Sequence, residues 1–578
     1  MIDKRVRPLK LANQIEDTMI RLYSCHIEQQ GKIPGLGKRQ QALITAALNY
    51  HTLVHSDQPT LFHVYEGQPW DFPQLNGEKT SRSTNLSPDS SLLLSLVAKS
   101  SPNGIWVDFA NESNVGSDVL TLRHLLVPPE SATPADVEAH AAKSLPRALY
   151  ALLESSCPLQ FDELRERQRI KREHAWFDSI KKFNPLQELP YLHDTDESLN
   201  RLAAPSHINT AKQKAIIFGM YWLQAGGAER WALETIAIAK RYGLLPIVIT
   251  DRDSLHPWIT KDALADTLIL PLAHPQEEVS CDEPLLRALF ERFEICGVLI
   301  HHCQWLYDRT YWIKHFYPKC PIVDTTHILE YKYSGAFPHE AVSHDETIDL
   351  HHVISPQLSS WLVSIHGINP AKVIYAPLTG LTATTKEPEF KKPSSSNALT
   401  VAFVGRLARQ KRPEAFILLA RYLARRADCY RFILHGSGNL EMIVDKLIER
   451  NNLQAVIERR AESDPVSITY NDADVLVISS VNEGLTLTTM EAVCAGIPVI
   501  SCDVGSQNTL IPPEGLTRRK SRDFITDAAY MIESMRENED RRMHLWEEER
   551  ERLKHFEQAE SASSFFDRLL SRWSNQHD

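Results

Sequence analysis

The chain has nine cysteines but no C-x-x-C pair. An odd, unpaired set argues against a disulfide framework and for a reducing compartment. It also lacks a long apolar run: stretches such as Leu92-Leu93-Leu94-Ser95-Leu96-Val97-Ala98 fall far short of the roughly 20 residues that span a bilayer. Met1-Ile2-Asp3-Lys4-Arg5 leads into a mixed polar stretch, not the apolar core of a signal peptide, so a cytoplasmic protein is expected. Positive charge is not in excess either. The formal net charge of −11 leaves no basic footprint for a nucleic-acid partner. No G-x-G-x-x-G follows a strand and no G-x-S-x-G occurs, which disfavours a Rossmann dehydrogenase and a serine hydrolase. The doublets His301-His302 and His351-His352, with Cys303 after the first, offer neither i, i+4 nor C-x-x-C spacing. No metal site is expected from them.

What is present is an ordinary globular composition, 43% hydrophobic and 24% charged over 578 residues. That length is too great for one core and suggests three or so domains. The most informative stretch is 475–500. Val475-Leu476-Val477-Ile478 reads as a strand buried on both faces. Ser479 to Gly484 reads as a loop and Leu485 to Cys494 as a helix, with Gly496 as its C′ stop and Ile497-Pro498-Val499-Ile500 opening the next strand. Such a βαβ unit binds ligands beyond the carboxyl end of its strand. Glu483 lies in that loop and Glu491 two helical turns on. Eight residues at about 100° return to within roughly 80° of the starting direction, so both carboxylates can face one crevice. The N–H groups of Leu485, Thr486 and Leu487, preceded by Gly484, are expected to open the helix and to form a diphosphate site.

The string Asn482-Glu483-Gly484-Leu485-Thr486-Leu487-Thr488-Thr489-Met490-Glu491-Ala492 resembles the Glu-x7-Glu motif of retaining glycosyltransferases with the GT-B fold. The resemblance implies that Glu483 contacts the donor sugar and Glu491 the ribose of the nucleotide. The family often has Gly where Thr486 stands; because the N–H meets the phosphate, the change is expected to be tolerated. Three further signatures stand in the family's order. Gly226-Gly227-Ala228-Glu229-Arg230, after the strand Lys214–Phe218, is similar to the family's first strand-to-helix turn, and glycines there admit backbone close to a phosphate. Gly405-Arg406-Leu407-Ala408-Arg409-Gln410-Lys411 is similar to its Gly-Arg-Leu-x-x-x-Lys signature, which implies that Arg406 and Lys411 hold the donor diphosphate, where cations neutralise leaving-group charge. His435-Gly436-Ser437-Gly438 is similar to a Gly-x-Gly loop near the nucleotide, which adds Gly436 to the donor-binding set. The resemblance also implies that His327, at a strand end after Pro321-Ile322-Val323, hydrogen-bonds the donor sugar. After Asp503-Val504-Gly505-Ser506 the family commonly has a Glu where this chain has Thr509.

Between these signatures, runs at Leu244–Thr250, Thr267–Leu270, Gly297–Ile300 and Pro321–Val323 alternate with helical lengths, the pattern of a doubly wound sheet. His351-His352-Val353-Ile354 and Lys372 to Ala376 read as its last strands, and Lys386 to Asn397 as an interdomain linker. Residues 1 to about 205 carry no recognisable motif. Leu61–Tyr65, Gly104–Phe109 and Val119–Leu122 read as strands there, Thr133-Pro134 as a helix start, and Asn76–Ser91 as a loop. Phe161 to Phe183 is a basic helix. Its Arg and Lys residues suit an anionic membrane surface, whereas the interleaved Glu163, Glu166 and Glu173 favour packing on a neighbouring domain. Residues up to about 210 then read as a linker.

The expected architecture is α/β of the GT-B type: two Rossmann-like doubly wound domains facing a cleft, residues 211–385 on the acceptor side and 396–555 on the nucleotide-sugar side. An α/β or α+β accessory region, 1–205, precedes them, and an apolar-striped helix at 556–578 packs back. The expected function is retaining transfer from a nucleotide-sugar to a polysaccharide, glycolipid or protein acceptor, without a metal or other cofactor. Asp-x-Asp triplets, which metal-dependent glycosyltransferases use, begin at Asp194, Asp251 and Asp472; Asp472-Ala473-Asp474 runs into a buried strand and reads as structural. The rival readings are a catalytically silent nucleotide-sugar scaffold or partner subunit, and a phosphorylase or epimerase on the same fold.

Overall fold

The computed structural model describes residues 19–27, 35–54, 59–75, 91–100, 121–142, 145–177, 212–272, 283–329, 337–378, 387–392 and 398–575. The first sheet comprises β1 (Tyr23–Ile27), β2 (Thr60–Glu66), β3 (Ser91–Ser100) and β4 (Thr121–Val127), in the order β1-β3-β2-β4. β3 runs antiparallel to both its neighbours, and β2 and β4 are parallel. Along β2, Thr60, Phe62 and Val64 are buried while the residues between them are half-exposed, the period-two pattern of a sheet covered on one face. The helix Lys38–Val54 covers it. That helix is buried almost all round, because its other flank lies on the middle domain. The strand expected at Val119–Leu122 is found as β4, and the one expected at Gly104–Phe109, like nearly all of the loop 76–91, lies outside the described residues. At Thr133-Pro134 the expected helix does begin, with Asp136 accepting the Thr133 N–H and hydroxyl at 2.8 and 2.7 Å.

The middle sheet holds β5 (Gln213–Met220), β6 (Leu245–Thr250), β7 (Leu268–Pro271), β8 (Phe293–His301), β9 (Ile322–Thr326), β10 (Leu350–Val353) and β11 (Val373–Tyr375). Its order is β11-β10-β9-β8-β5-β6-β7, with every pair parallel. The third sheet holds β12 (Leu399–Val404), β13 (Tyr430–His435), β14 (Ile457–Arg460), β15 (Val475–Ile478), β16 (Val499–Cys502) and β17 (Leu516–Thr517), ordered β14-β13-β12-β15-β16-β17 and again all parallel. Both are doubly wound. Strand order reverses between β5 and β8 in one and between β12 and β15 in the other, and ligand crevices open at such points. The carboxyl ends of the two sheets meet across a cleft, which is the GT-B arrangement.

Two elements tie the layers together. Helix Ala562–Asn575 returns to the middle sheet as expected: its Ala562 N–H donates to Pro377 O at 2.8 Å, and Phe566 packs edge-on to Trp231 at 5.4 Å. Trp573 lies against Gly297, where a Cβ would stand 2.4 Å from the indole ring. The second is an arm of two helices, Leu145–Ser156 and Pro158–Phe177, which leaves the first sheet and lies on the C-terminal domain. The basic side chains of this arm that are in contact are used internally: Arg165 pairs with Glu414 at 3.3 Å and Arg169 with Glu166 at 2.7 Å. Lys181, Lys182 and the expected linker up to 210 lie outside the described residues.

Candidate active site

The loops after β12 and β15 are laced to each other. Arg412 stands at φ +52° as the N-cap of helix Pro413–Ala424 and is buried, with its Nε donating to Ser479 O at 2.8 Å. Ser479 Oγ donates to the carbonyls of Lys411 and Arg412 at 2.9 Å each. Gln410 accepts the Val481 N–H at 2.9 Å and donates from Nε2 to Asn482 O at 3.0 Å. This lacing sets Lys411 Nζ 2.6 Å from Glu483 Oε1, with the Glu483 side chain 5% exposed. Arg406, on the same loop, is exposed. Gly436, expected to bind the donor, stands at φ +136°, and a Cβ there would lie 2.1 Å from Gly405 O. It supports the Arg406 loop from behind.

The helix after β15 starts two residues later than expected. Leu485 is drawn into the apolar core and Thr486 is the N-cap, so the helix is Leu487–Cys494. Leu487 and Thr488 supply its opening N–H groups, and the Thr489 N–H closes onto Thr486 O at 3.2 Å. The Thr486 hydroxyl turns inward to Thr489, and Gln507 Nε2 donates to it at 3.2 Å. Glu491 sits on the open side of this helix. Its Oε2 accepts from Tyr470 OH at 2.9 Å, and its Oε1 lies 3.3 Å from Arg230 NH1 of the middle domain. Burial and the Glu491 charge push the Tyr470 hydroxyl pKa far up.

On the facing side, helix Gly227–Arg241 begins within the strand-to-helix turn read from the sequence, with Gly226 as its N-cap. A Cβ on Gly226 would meet Glu229 Oε2 at 1.9 Å, whereas one on Gly227 would meet nothing within 4 Å. The first glycine makes room for the Glu229 carboxyl folding back over the helix end, and the second presents an open side. Burial pushes the Glu229 pKa up to about 7, opposed by its own N–H, by the Arg406 charge and by a hydrogen bond from Trp222. Glu229 and Arg406 thus interact across the cleft.

His327 directly follows β9 and is buried. Its Nε2 is 3.1 Å from Thr325 Oγ1, and its ring stands edge-on to His302 at 5.0 Å. Burial, reinforced by the nearby His302, His352 and His301, holds its pKa well below 6.5, so the ring is neutral. The His327 carbonyl touches Gly484, where a Cβ would stand 2.0 Å from it. Asn482 Nδ2 donates to Leu329 O at 2.7 Å. The Glu483 loop and the His327 loop therefore meet directly.

The other histidines and acids have structural partners. His301 Nε2 lies 3.1 Å from Thr235 Oγ1. His352 bonds Thr325 Oγ1 and Ala376 O at 2.8 Å each. His351 lies between Asp324 at 2.9 Å and Asp345 at 3.2 Å; although burial opposes the charge, these carboxylates push its pKa up to about 9. Asp474 accepts the Thr400 N–H at 2.8 Å and faces Arg542 at 3.1 Å, while buried Asp251 accepts the Trp305 N–H at 3.0 Å. Asp194 lies outside the described residues. Among the described residues, Asp308, Glu340 and His344 bring ligand atoms within 4.8 Å of one another, a grouping the sequence reading did not single out. No helix among the described residues is long and apolar enough to cross a membrane.

Residues 385–552 match the family described as Glycosyl transferases group 1. The loops carrying Arg406, Lys411, Glu483 and Glu491 all lie within the matched residues. Similar curated proteins include the O-antigen biosynthesis glycosyltransferase WbnH of Escherichia coli, 32% identical over 125 residues, 22% of this chain and 35% of that one. A D-inositol 3-phosphate glycosyltransferase of Corynebacterium diphtheriae is 25% identical over 235 residues, 36% of this chain and 55% of that one. The chain thus spans about a third to about half of the length of these relatives. Among solved structures, Anabaena HepE in complex with UDP is 16% identical, with a TM-score of 0.49 over 63% of this chain and 100% of that one.

Several further residues contact these loops. Glu229, Arg230 and Asn482 stand in plain view within the strings quoted above, without a role assigned to them. Tyr470 and Arg412 carry no sequence signal, because each acts through a partner remote in the chain.

Proposed function

We propose that the chain is a metal-independent retaining glycosyltransferase that moves a sugar from a nucleoside diphosphate donor to a carbohydrate or lipid-linked acceptor. The observation that carries this reading is the convergence of Lys411 on Glu483 at 2.6 Å, beside His327 and with Glu491 on the same crevice. Arg406, Lys411 and the N–H groups of Leu487 and Thr488 stabilise the departing diphosphate, so fixed cations and a helix N-terminus do the work of a metal ion. Glu491 accepts from the ribose, for which Tyr470 and Arg230 orient it. Glu483 and the neutral His327 hydrogen-bond the sugar; a neutral imidazole adds no positive charge to a centre that is losing an anion. The anomeric carbon–oxygen bond to phosphate breaks with its electron pair going to the diphosphate, and the acceptor hydroxyl oxygen forms the new bond as its O–H proton passes to the departing diphosphate oxygen. Gly226 and Gly227 let the middle domain close over the donor, which excludes water and favours transfer over hydrolysis.

One similar protein is named for O-antigen biosynthesis and another as a D-inositol 3-phosphate glycosyltransferase, and the HepE structure is a complex with UDP. A UDP-sugar is the first donor to test. The check is proton NMR of the product formed with EDTA present, reading the coupling of the new anomeric proton. The same anomeric configuration as in the donor is expected. An inverted product, or a reaction that EDTA abolishes, contradicts the proposal.

A further inference from the structure

Beside the Glu483 loop lies a cavity of about 290 Å³, near the lower end for small-ligand sites. Its wall comes from three parts of the chain: Arg169 from the helical arm, Gln357 from the middle domain, and Asn482, Asp503, Asn508 and Arg519 from the C-terminal domain. Asn482 directly precedes Glu483. Gly505, also in the wall, packs on the Glu483 backbone so closely that a Cβ there would lie 1.8 Å from its carbonyl oxygen. The cavity therefore shares a wall with the loop to which the proposed sugar-binding carboxylate belongs.

The wall is mostly polar, with Leu329, Val481 and Val504 as its apolar members, and its charges are matched. Glu166 lies 2.7 Å from both Arg169 NH2 and Arg519 Nε, and Asp503 adds a second carboxylate to the lining. Arg169 NH1 also donates to Val481 O at 3.1 Å, which fixes the guanidinium in place. A wall of amide and guanidinium donors with a carboxylate acceptor suits groups that both donate and accept, as hydroxyls do. The balanced charge favours a neutral ligand over a phosphate, which would need uncompensated cations.

We propose that this cavity is the acceptor subsite and takes a neutral, hydroxyl-rich sugar unit, with the arm contributing Arg169 as a specificity-determining residue. The inference rests on the transferase reading above. It makes the arm part of the site instead of a remote appendage.

The test is saturation-transfer NMR on the full chain with methyl α- and β-glycosides of glucose, galactose, mannose and N-acetylglucosamine, each with saturating UDP, and with glycerol phosphate as the anionic control. Gln357→Trp and Asn508→Trp fill the cavity from two exposed positions and leave the Lys411–Glu483 pair untouched. At least one glycoside is expected to bind the wild type and to lose 10-fold or more in affinity in both variants, with UDP binding unchanged. Arg169→Lys is expected to reorder the preference among glycosides. Binding of no glycoside, binding that survives both tryptophans, or a preference for glycerol phosphate overturns the proposal. Loss of the transferase reading shows up separately, as failure of the wild type to release nucleoside diphosphate from any UDP-, GDP- or ADP-sugar.

Discussion

At the scale of single residues the site depends on close contacts that leave no room for added atoms. Gly484 faces the His327 carbonyl with space for a hydrogen only. Gly484→Ala is expected to hold the two loops apart and to lower turnover by about 100-fold or more, while melting stays near wild type because the cores are untouched; stopped-time product assays beside a melting curve check this. Glu229 supplies a pH dependence. Its carboxyl moves from 4.5 in the unfolded chain to about 7 in the folded one, so its stabilising contribution is complete below the unfolded value and is lost as pH rises through about 7. The melting temperature of the wild type, measured against Glu229→Gln, is expected to fall between about pH 5 and about pH 8. A difference that is flat or rising over that window contradicts the assignment. Such residues show what a sequence can reveal. Glu483, Glu491, Arg406 and Lys411 were legible because local spacing on a strand-loop-helix unit fixes their direction. The close approach of Gly436 to Gly405 O was not, because it joins two loops distant in the chain.

Elements were legible to the extent that a local period encodes them. The buried strands, β15 above all, read directly from apolar β-branched runs, and the terminal helix from its stripe. Helix starts were less so. Leu485 reads as helical by its place before an apolar run, yet the core takes its side chain and the Thr486–Gln507 contact sets the cap, a partner 21 residues away. The helix Ala562–Asn575 carries its own prediction. Gly297→Leu would drive a side chain into the Trp573 ring, an overpacking that costs about 1–3 kcal/mol. Tryptophan emission is expected to shift to the red as that helix lifts from Trp231, and an unshifted spectrum with unchanged stability counts against the packing.

Across the whole molecule, no local pattern announced where the arm docks. Asp162 meets buried Arg412 at 3.2 Å over a separation of 250 residues, Glu154 holds Arg409 at 2.8 Å, and Arg169 reaches Val481 O. The packing on a neighbouring domain that the interleaved acids of this helix favour is thereby directed at the loops on either side of Lys411 and Glu483. Asp162→Ala leaves Arg412 buried without this carboxylate, and a loss of about 3–5 kcal/mol is expected in chemical denaturation. A loss below about 1 kcal/mol contradicts a clamping role for the arm. The measurement that bears most directly on the whole account is release of nucleoside diphosphate from a panel of UDP-, GDP- and ADP-sugars, by wild type, Arg406→Ala and Glu483→Ala. Release from one donor by the wild type, unaffected by EDTA and lost in both variants, is the expected result. Nucleotide binding without release from any donor, with or without the glycosides named above, would contradict the account and leave a scaffold that binds but does not transfer.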